Sequence, residues 1–197
     1  MTKASETMAS TRSGRWVVQQ GGPEGYSAFL PAPLPPDPPV VMGAELNRRG
    51  YRVMTVKHGH GFQLDQPGRD SWRHRHEGGA LRTVLASPSS FGVVGSWPQE
   101  EMPLSELVER FLWDADIVLA EGFKAASQPT IEVFRGASGS RPLFDPGGDE
   151  SQGTLALVTD RPGLQAPFPV FDMNDPGFLA QLTNLVVKRF LSDEGRP

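Results

Sequence analysis

Residues 114–124 read DADIVLAEGFK, in which four consecutive apolar residues, Ile117–Ala120, run straight into Glu121, Gly122 and, after Phe123, Lys124. A run with no polar face suits a strand covered on both sides, as in a parallel sheet layered between helices. The carboxylate and the glycine then fall at the strand's carboxyl end. Two other stretches repeat the plan. YRVMTVKHGHG (51–61) is a β-branched strand over Tyr51–Lys57 that delivers Lys57, His58 and His60, and TLALVTDRP (154–162) delivers Thr159 and Asp160.

Helical patterns alternate with these strands. MPLSELVERFLW (102–113) places Leu104, Leu107, Val108 and Phe111 on one face, and DPGFLAQLTNLVVKRFLS (175–192) is an apolar-periodic helix with Asp175 as its expected cap. DSWRHR (70–75) predicts a short charged helix capped by Asp70 or Ser71. Further strands are expected at Arg15–Gln19, Arg82–Ala86, in FGVVGSW (91–97) and in IEVFR (131–135). Alternation of this kind implies an α/β fold with a mostly parallel sheet. Ligands of such sheets sit beyond the carboxyl ends of the strands. Lys57, His58, Glu121, Gly122, Lys124 and Asp160 are therefore the first candidates, suited to a negatively charged ligand with or without a metal. Polar residues after strands also make ordinary turns, so the pattern alone leaves both readings open.

The remaining composition narrows the class. The chain has 197 residues, 22 glycines, 19 prolines, no cysteine and a net charge of −4. It is long enough for one domain; residues 1–15 are expected to be a disordered tail and 16–197 a single α/β domain, irregular over 20–42. The charge gives no basic surplus for nucleic acid. Without cysteine there are no disulfides, thiolate zinc sites or thiol nucleophiles. No apolar run approaches the roughly 18 residues of a membrane span, so a cytoplasmic protein is expected.

RRGYRVMTVKHGHGFQLDQPGRDSWRHRHEGG, DADIVLAEGFK, IEVFR and LVTDRPGLQAPFPVFDMNDP occur in the order found in the MobB-type family, adaptors of molybdopterin-guanine dinucleotide biosynthesis, and the chain resembles that family from about Glu45 to its last helix. The resemblance implies a P-loop NTPase-like fold, a homodimer, GTP with Mg2+, and as partner the guanylyltransferase that attaches GMP to molybdopterin, or a molybdoenzyme. It places Glu121 at the Walker-B-like position as metal ligand and catalytic candidate. Lys57 and His58 match the lysine–histidine pair after the second strand, Asp70 and Arg73 belong to the charged helix, and Gly122, Lys124 and Asp160 line the nucleotide side. His58 and His60 form an HxH without an evident third ligand. Arg73 and Arg75 leave their helix in different directions, so one on ligand and one in solvent is expected. Asp114 and Asp116 read as surface carboxylates, and Trp72, Trp97 and Trp113 as core or dimer packing.

One departure from the family is large. After the first strand a phosphate loop G-x-x-x-x-G-K-[ST] should open a helix, its lysine and hydroxyl meeting phosphate and magnesium. This chain has GGPEGYSAFLPAPLPPDPP (21–39). Gly22 and Gly25 are suited to start such a loop. With Gly22 as first glycine, however, Ser27, Ala28 and Phe29 occupy the positions of second glycine, lysine and hydroxyl. No lysine lies between Lys3 and Lys57, and the prolines from Pro31 to Pro39 oppose a helix before about Val41. GTP and Mg2+ binding are therefore expected to be impaired, through divergence or through a frameshifted coding sequence. The alternatives are a weak GTPase gripping phosphate through Lys57, Lys124 and Arg73, or an interaction module indifferent to nucleotide.

Overall fold

The structure, a computed structural model of the whole chain, describes residues 16–21, 38–59, 64–123, 129–136, 142 and 153–191. They fall into two compact units, one of residues 1–58 and 108–197, the other of residues 59–107.

The larger unit is built on six strands: β1 (Trp16–Gly21), β2 (Val53–Lys57), β5 (Ile117–Glu121), β6 (Thr130–Phe134), β7 (Thr154–Thr159) and β8 (Val170–Asp172). They form one sheet in the order β2-β5-β1-β6-β7-β8, with every pair parallel. The run Ile117–Ala120 does what its composition requires: each of its residues is buried, in the second strand from the edge. Ile117 and Leu119 face a core shared with Ile131, Val133, Ala156 and Val158. Helices α1 (Pro38–Arg48) and α4 (Phe178–Phe190) cover that face with Met42, Leu46, Leu182 and Val186. Each such side chain contributes about 1.5–3 kcal/mol when fully buried. Phe134 and Leu157 form a second cluster with Leu164, Ala166, Phe168 and Val170.

Polar contacts set the strand starts. Asp116 accepts from the Arg52 backbone N–H at 2.8 Å and from its guanidinium at 3.1 Å, fastening the start of β2 beside that of β5. At the end of α1, Glu45 accepts from both Arg48 and Arg49, which holds its carboxyl at about 2 instead of 4.5. Arg49 also donates to Asn184 on α4 at 2.7 Å.

The smaller unit holds α2 (Asp70–His76) and an antiparallel ribbon of β3 (Arg82–Ala86) and β4 (Phe91–Gly95). Helix α3 (Leu104–Phe111) spans the division between the units.

Several boundaries differ from the sequence expectations. α1 begins at Pro38, not near Val41, because proline fits the first turn, where its missing N–H breaks no helical bond. Of the stretch expected to be irregular, Gln20 and Gly21 thus belong to β1 and Pro38–Met42 to α1; residues 22–37 lie outside the described residues. The N-cap of α2 is Arg69, so Asp70 and Ser71 lie in the first turn. The N-cap of α4 is Gly177, and Asp175 instead accepts from the Gly177 N–H and from Gln181. β8 was not foreseen: three residues are too few to show a period.

Candidate functional site

The parallel sheet brings all its carboxyl ends to one edge. Lys57 and Glu121 are register partners on adjacent strands. Lys57 Nζ donates to Glu121 Oε1 at 3.0 Å, with the lysine side chain 63% exposed and the carboxylate 35%. Glu121 is also level with Gln19 on its other neighbour, β1, which runs two residues further. β1 leads outward to β2, while β5 leads across β1 to β6 and onward. The chain's direction therefore switches here, where open α/β sheets form their ligand crevice.

Gly122 has φ +88°, and a Cβ on it would meet the His58 carbonyl oxygen at 2.9 Å. The His58 N–H donates to the Glu121 carbonyl at 2.9 Å, and its ring lies 5.2 Å from that of Phe123. The glycine thus serves a close passage of two chain segments as they leave β2 and β5.

Asp160 lies on the same edge but three strands from Glu121, roughly 14 Å at the usual strand spacing. Its Oδ1 accepts from the Gly136 N–H at 2.7 Å, tying the exit of β7 to that of β6. Gly22, Gly25, His60 and Lys124 lie outside the described residues.

In the smaller unit, Arg73 and Arg75 part company as their spacing requires. Arg73 pairs with Glu77 one turn on, both exposed. Arg75 is the less exposed member, half-buried, with Nε 3.7 Å from Asp65 Oδ2. Asp65 Oδ1 accepts from Ser71 Oγ at 2.8 Å. Sequence reasoning passed over Asp65; its only signal was a carboxylate just before a helix. The Trp72 and His76 rings stack at 4.4 Å beside an open hollow of about 760 Å³, which Asp65, Arg75 and Val93 also line. Asp70 sits in the first turn of α2. Trp97 and Trp113, expected in core or dimer packing, are exposed and so lie outside the core of this chain.

Among the described residues no group of three or more His, Asp or Glu converges as a metal site. Glu121 is the candidate carboxylate at the switch point among the described residues, and Lys57 pairs with it. With that carboxylate paired to Lys57 and no Gly-Lys-[Ser/Thr] run anywhere in the sequence, the donor set does not fit a divalent ion held in the Walker manner.

The parallel sheet flanked by helices, with its charged strand ends, defines the class: a P-loop NTPase-like α/β protein. The family model for molybdopterin guanine dinucleotide synthesis protein B matches residues 42–160, and the chain belongs to this MobB family. It is 33% identical over 138 residues to the molybdopterin-guanine dinucleotide biosynthesis adapter protein of Escherichia coli, covering 67% of this chain and 74% of that protein. The protein of the same description from Haemophilus influenzae is 34% identical over 132 residues, covering 66% and 70%. A crystal structure of molybdopterin-guanine biosynthesis protein B superposes with a TM-score of 0.59 at 24% identity over 88% of this chain and 98% of that one. Bacillus subtilis MobB gives 0.59 at 17% identity over 86% and 96%.

Proposed function

We propose that this chain is a cytoplasmic adaptor in molybdopterin-guanine dinucleotide biosynthesis, that it meets the guanylyltransferase or a molybdoenzyme of that pathway, and that its hold on GTP is weakened. The observation that carries the last point is the start of α1. A helix offers its first N–H groups to phosphate. Here the first two residues are Pro38 and Pro39, which have none. The same chain lacks the loop lysine and hydroxyl. Each charge-assisted hydrogen bond lost is worth about 1.5–3 kcal/mol, or roughly 10–100-fold in affinity. Calorimetric titration with GTP and Mg2+ is expected to give a dissociation constant well above micromolar; submicromolar binding overturns the weakened hold.

A homodimer belongs to the same reading. β3 and β4 pair only with each other among the described residues, and a lone two-stranded ribbon is marginal in water. One face sets Val84 against Val93 with Phe91 beyond, and Val84 and Phe91 are 64% and 79% exposed. Exposed apolar surface of this kind marks an interface. Sedimentation is expected to show a dimer that Phe91→Lys converts to monomer with unchanged circular dichroism. A wild-type monomer at tens of micromolar rejects it.

A further inference from the structure

The misfit between Glu121 and a divalent ion points to a different way of holding phosphate. We propose that Lys57 is the phosphate-binding cation of this chain and that its site works without a divalent metal; this rests on the nucleotide-binding part of the reading above. Lys57 replaces, from the neighbouring strand β2, both the missing loop lysine and the charge of the ion.

Position makes this possible. The Lys57 side chain crosses from β2 to the Glu121 carboxylate, so its ammonium lies over the end of β5. The end of β1 is one further strand away, about 4.8 Å. The ammonium therefore stands at the carboxyl edge beside the switch point, where sheets of this kind take their ligands. It is well exposed, so an arriving anion reaches it without opening a core. A lysine also suits the task chemically, being a compact charge on a flexible stem that turns from one oxygen to another.

Glu121 then acts as a gate on that charge. Its carboxylate holds the ammonium at 3.0 Å, and phosphate must compete with it. A divalent ion on the same carboxylate stands next to the ammonium, and like charges so close disfavour each other. Metal and lysine thus compete for the Glu121 carboxylate, which Lys57 Nζ reaches at 3.0 Å. The two residues consequently have opposite signs: removing Lys57 weakens anion binding, and removing the charge of Glu121 strengthens it. A Walker-type carboxylate predicts the reverse for Glu121.

The probes are inorganic tripolyphosphate and GTP, each titrated into the full-length protein in EDTA and in Mg2+. Wild-type affinity is expected to agree within about threefold between the two conditions. Lys57→Met is expected to weaken both probes at least tenfold, and Glu121→Gln to strengthen them severalfold with or without metal. Both side chains are partly exposed and their ion pair is of the kind that adds little to folding, so both variants are expected to fold; equal melting temperatures check this. A Glu121→Gln variant that binds more weakly in Mg2+ overturns the proposal, as does a Lys57→Met variant with wild-type affinity. No binding of either probe at millimolar concentration also overturns it. That last result leaves the adaptor reading standing, which is judged separately by nucleotide-independent capture of the guanylyltransferase. Submicromolar GTP binding rejects the weakened hold, while the variant pair still decides the role of Lys57.

Discussion

Arg75→Met is expected to destabilise the smaller unit by about 3 kcal/mol. The Asp65 side chain is 8% exposed and Arg75 18%, so their ion pair is screened from water. Removing the guanidinium leaves the little-exposed Asp65 carboxylate with, among the described residues, only the Ser71 hydroxyl as partner, and an uncompensated buried charge costs about 3–5 kcal/mol. The lower end applies because the pair is stretched to 3.7 Å, and neither Asp65 Oδ2 nor Arg75 Nε has a hydrogen-bond partner. The loss is expected to be local, since α2 joins the ribbon rather than the large core. Amide exchange at Arg73 and Glu77, whose N–H groups donate within α2 and its cap, reads it directly. Adding Asp65→Asn to Arg75→Met restores part of the stability by removing the orphaned charge. Arg73→Met, which breaks only the exposed pair with Glu77, is expected to cost no more than a few tenths of a kcal/mol. Equal effects at 73 and 75 defeat this account.

The contrast between those two arginines shows where the sequence was legible. Their spacing told that they diverge, because two residues on a helix turn the side chain by about half a turn. It did not tell which one goes inward, since that depends on Asp65, which no periodicity singles out. The same holds for the sheet. Ile117–Ala120 announced a buried strand because a two-sided burial needs a run without polar residues. Strand order is a different matter: that β2 lies beside β5 follows from crossovers, not from local pattern. Lys57 and Glu121 were therefore each visible as strand-end residues while their ion pair was not. Helix starts were misplaced for a local reason. Pro38 and Pro39 read as helix breakers, but in a first turn proline is pre-set for the helix, and only what precedes them decides which role they take. β3 and β4 had clear strand composition, yet nothing in it separated a ribbon paired, among the described residues, only with itself from members of the main sheet.

Gly122→Ala carries the other large effect, and Gly50 supplies its control. Both glycines have positive φ, +88° and +90°, where an L side chain is strained by about 1–2 kcal/mol. At Gly50 a Cβ meets nothing within 4 Å, so Gly50→Ala is expected to cost that strain alone. At Gly122 the Cβ falls 2.9 Å from the His58 carbonyl oxygen, a backbone atom that cannot swing aside as a side chain does. Relief requires the exits of β2 and β5 to separate, against the bond from the His58 N–H to the Glu121 carbonyl. The total is expected to reach about 2–4 kcal/mol, measured as the difference in urea midpoints between the two variants and wild type. Separation also moves Lys57 away from Glu121, because each residue lies within one position of the crowded pair. Gly122→Ala should then change anion affinity as well as stability, whereas Gly50→Ala changes stability only. If the two alanine variants are equally stable, the close passage at His58 is not what holds the strand ends together, and glycine at 122 answers to its backbone angle alone.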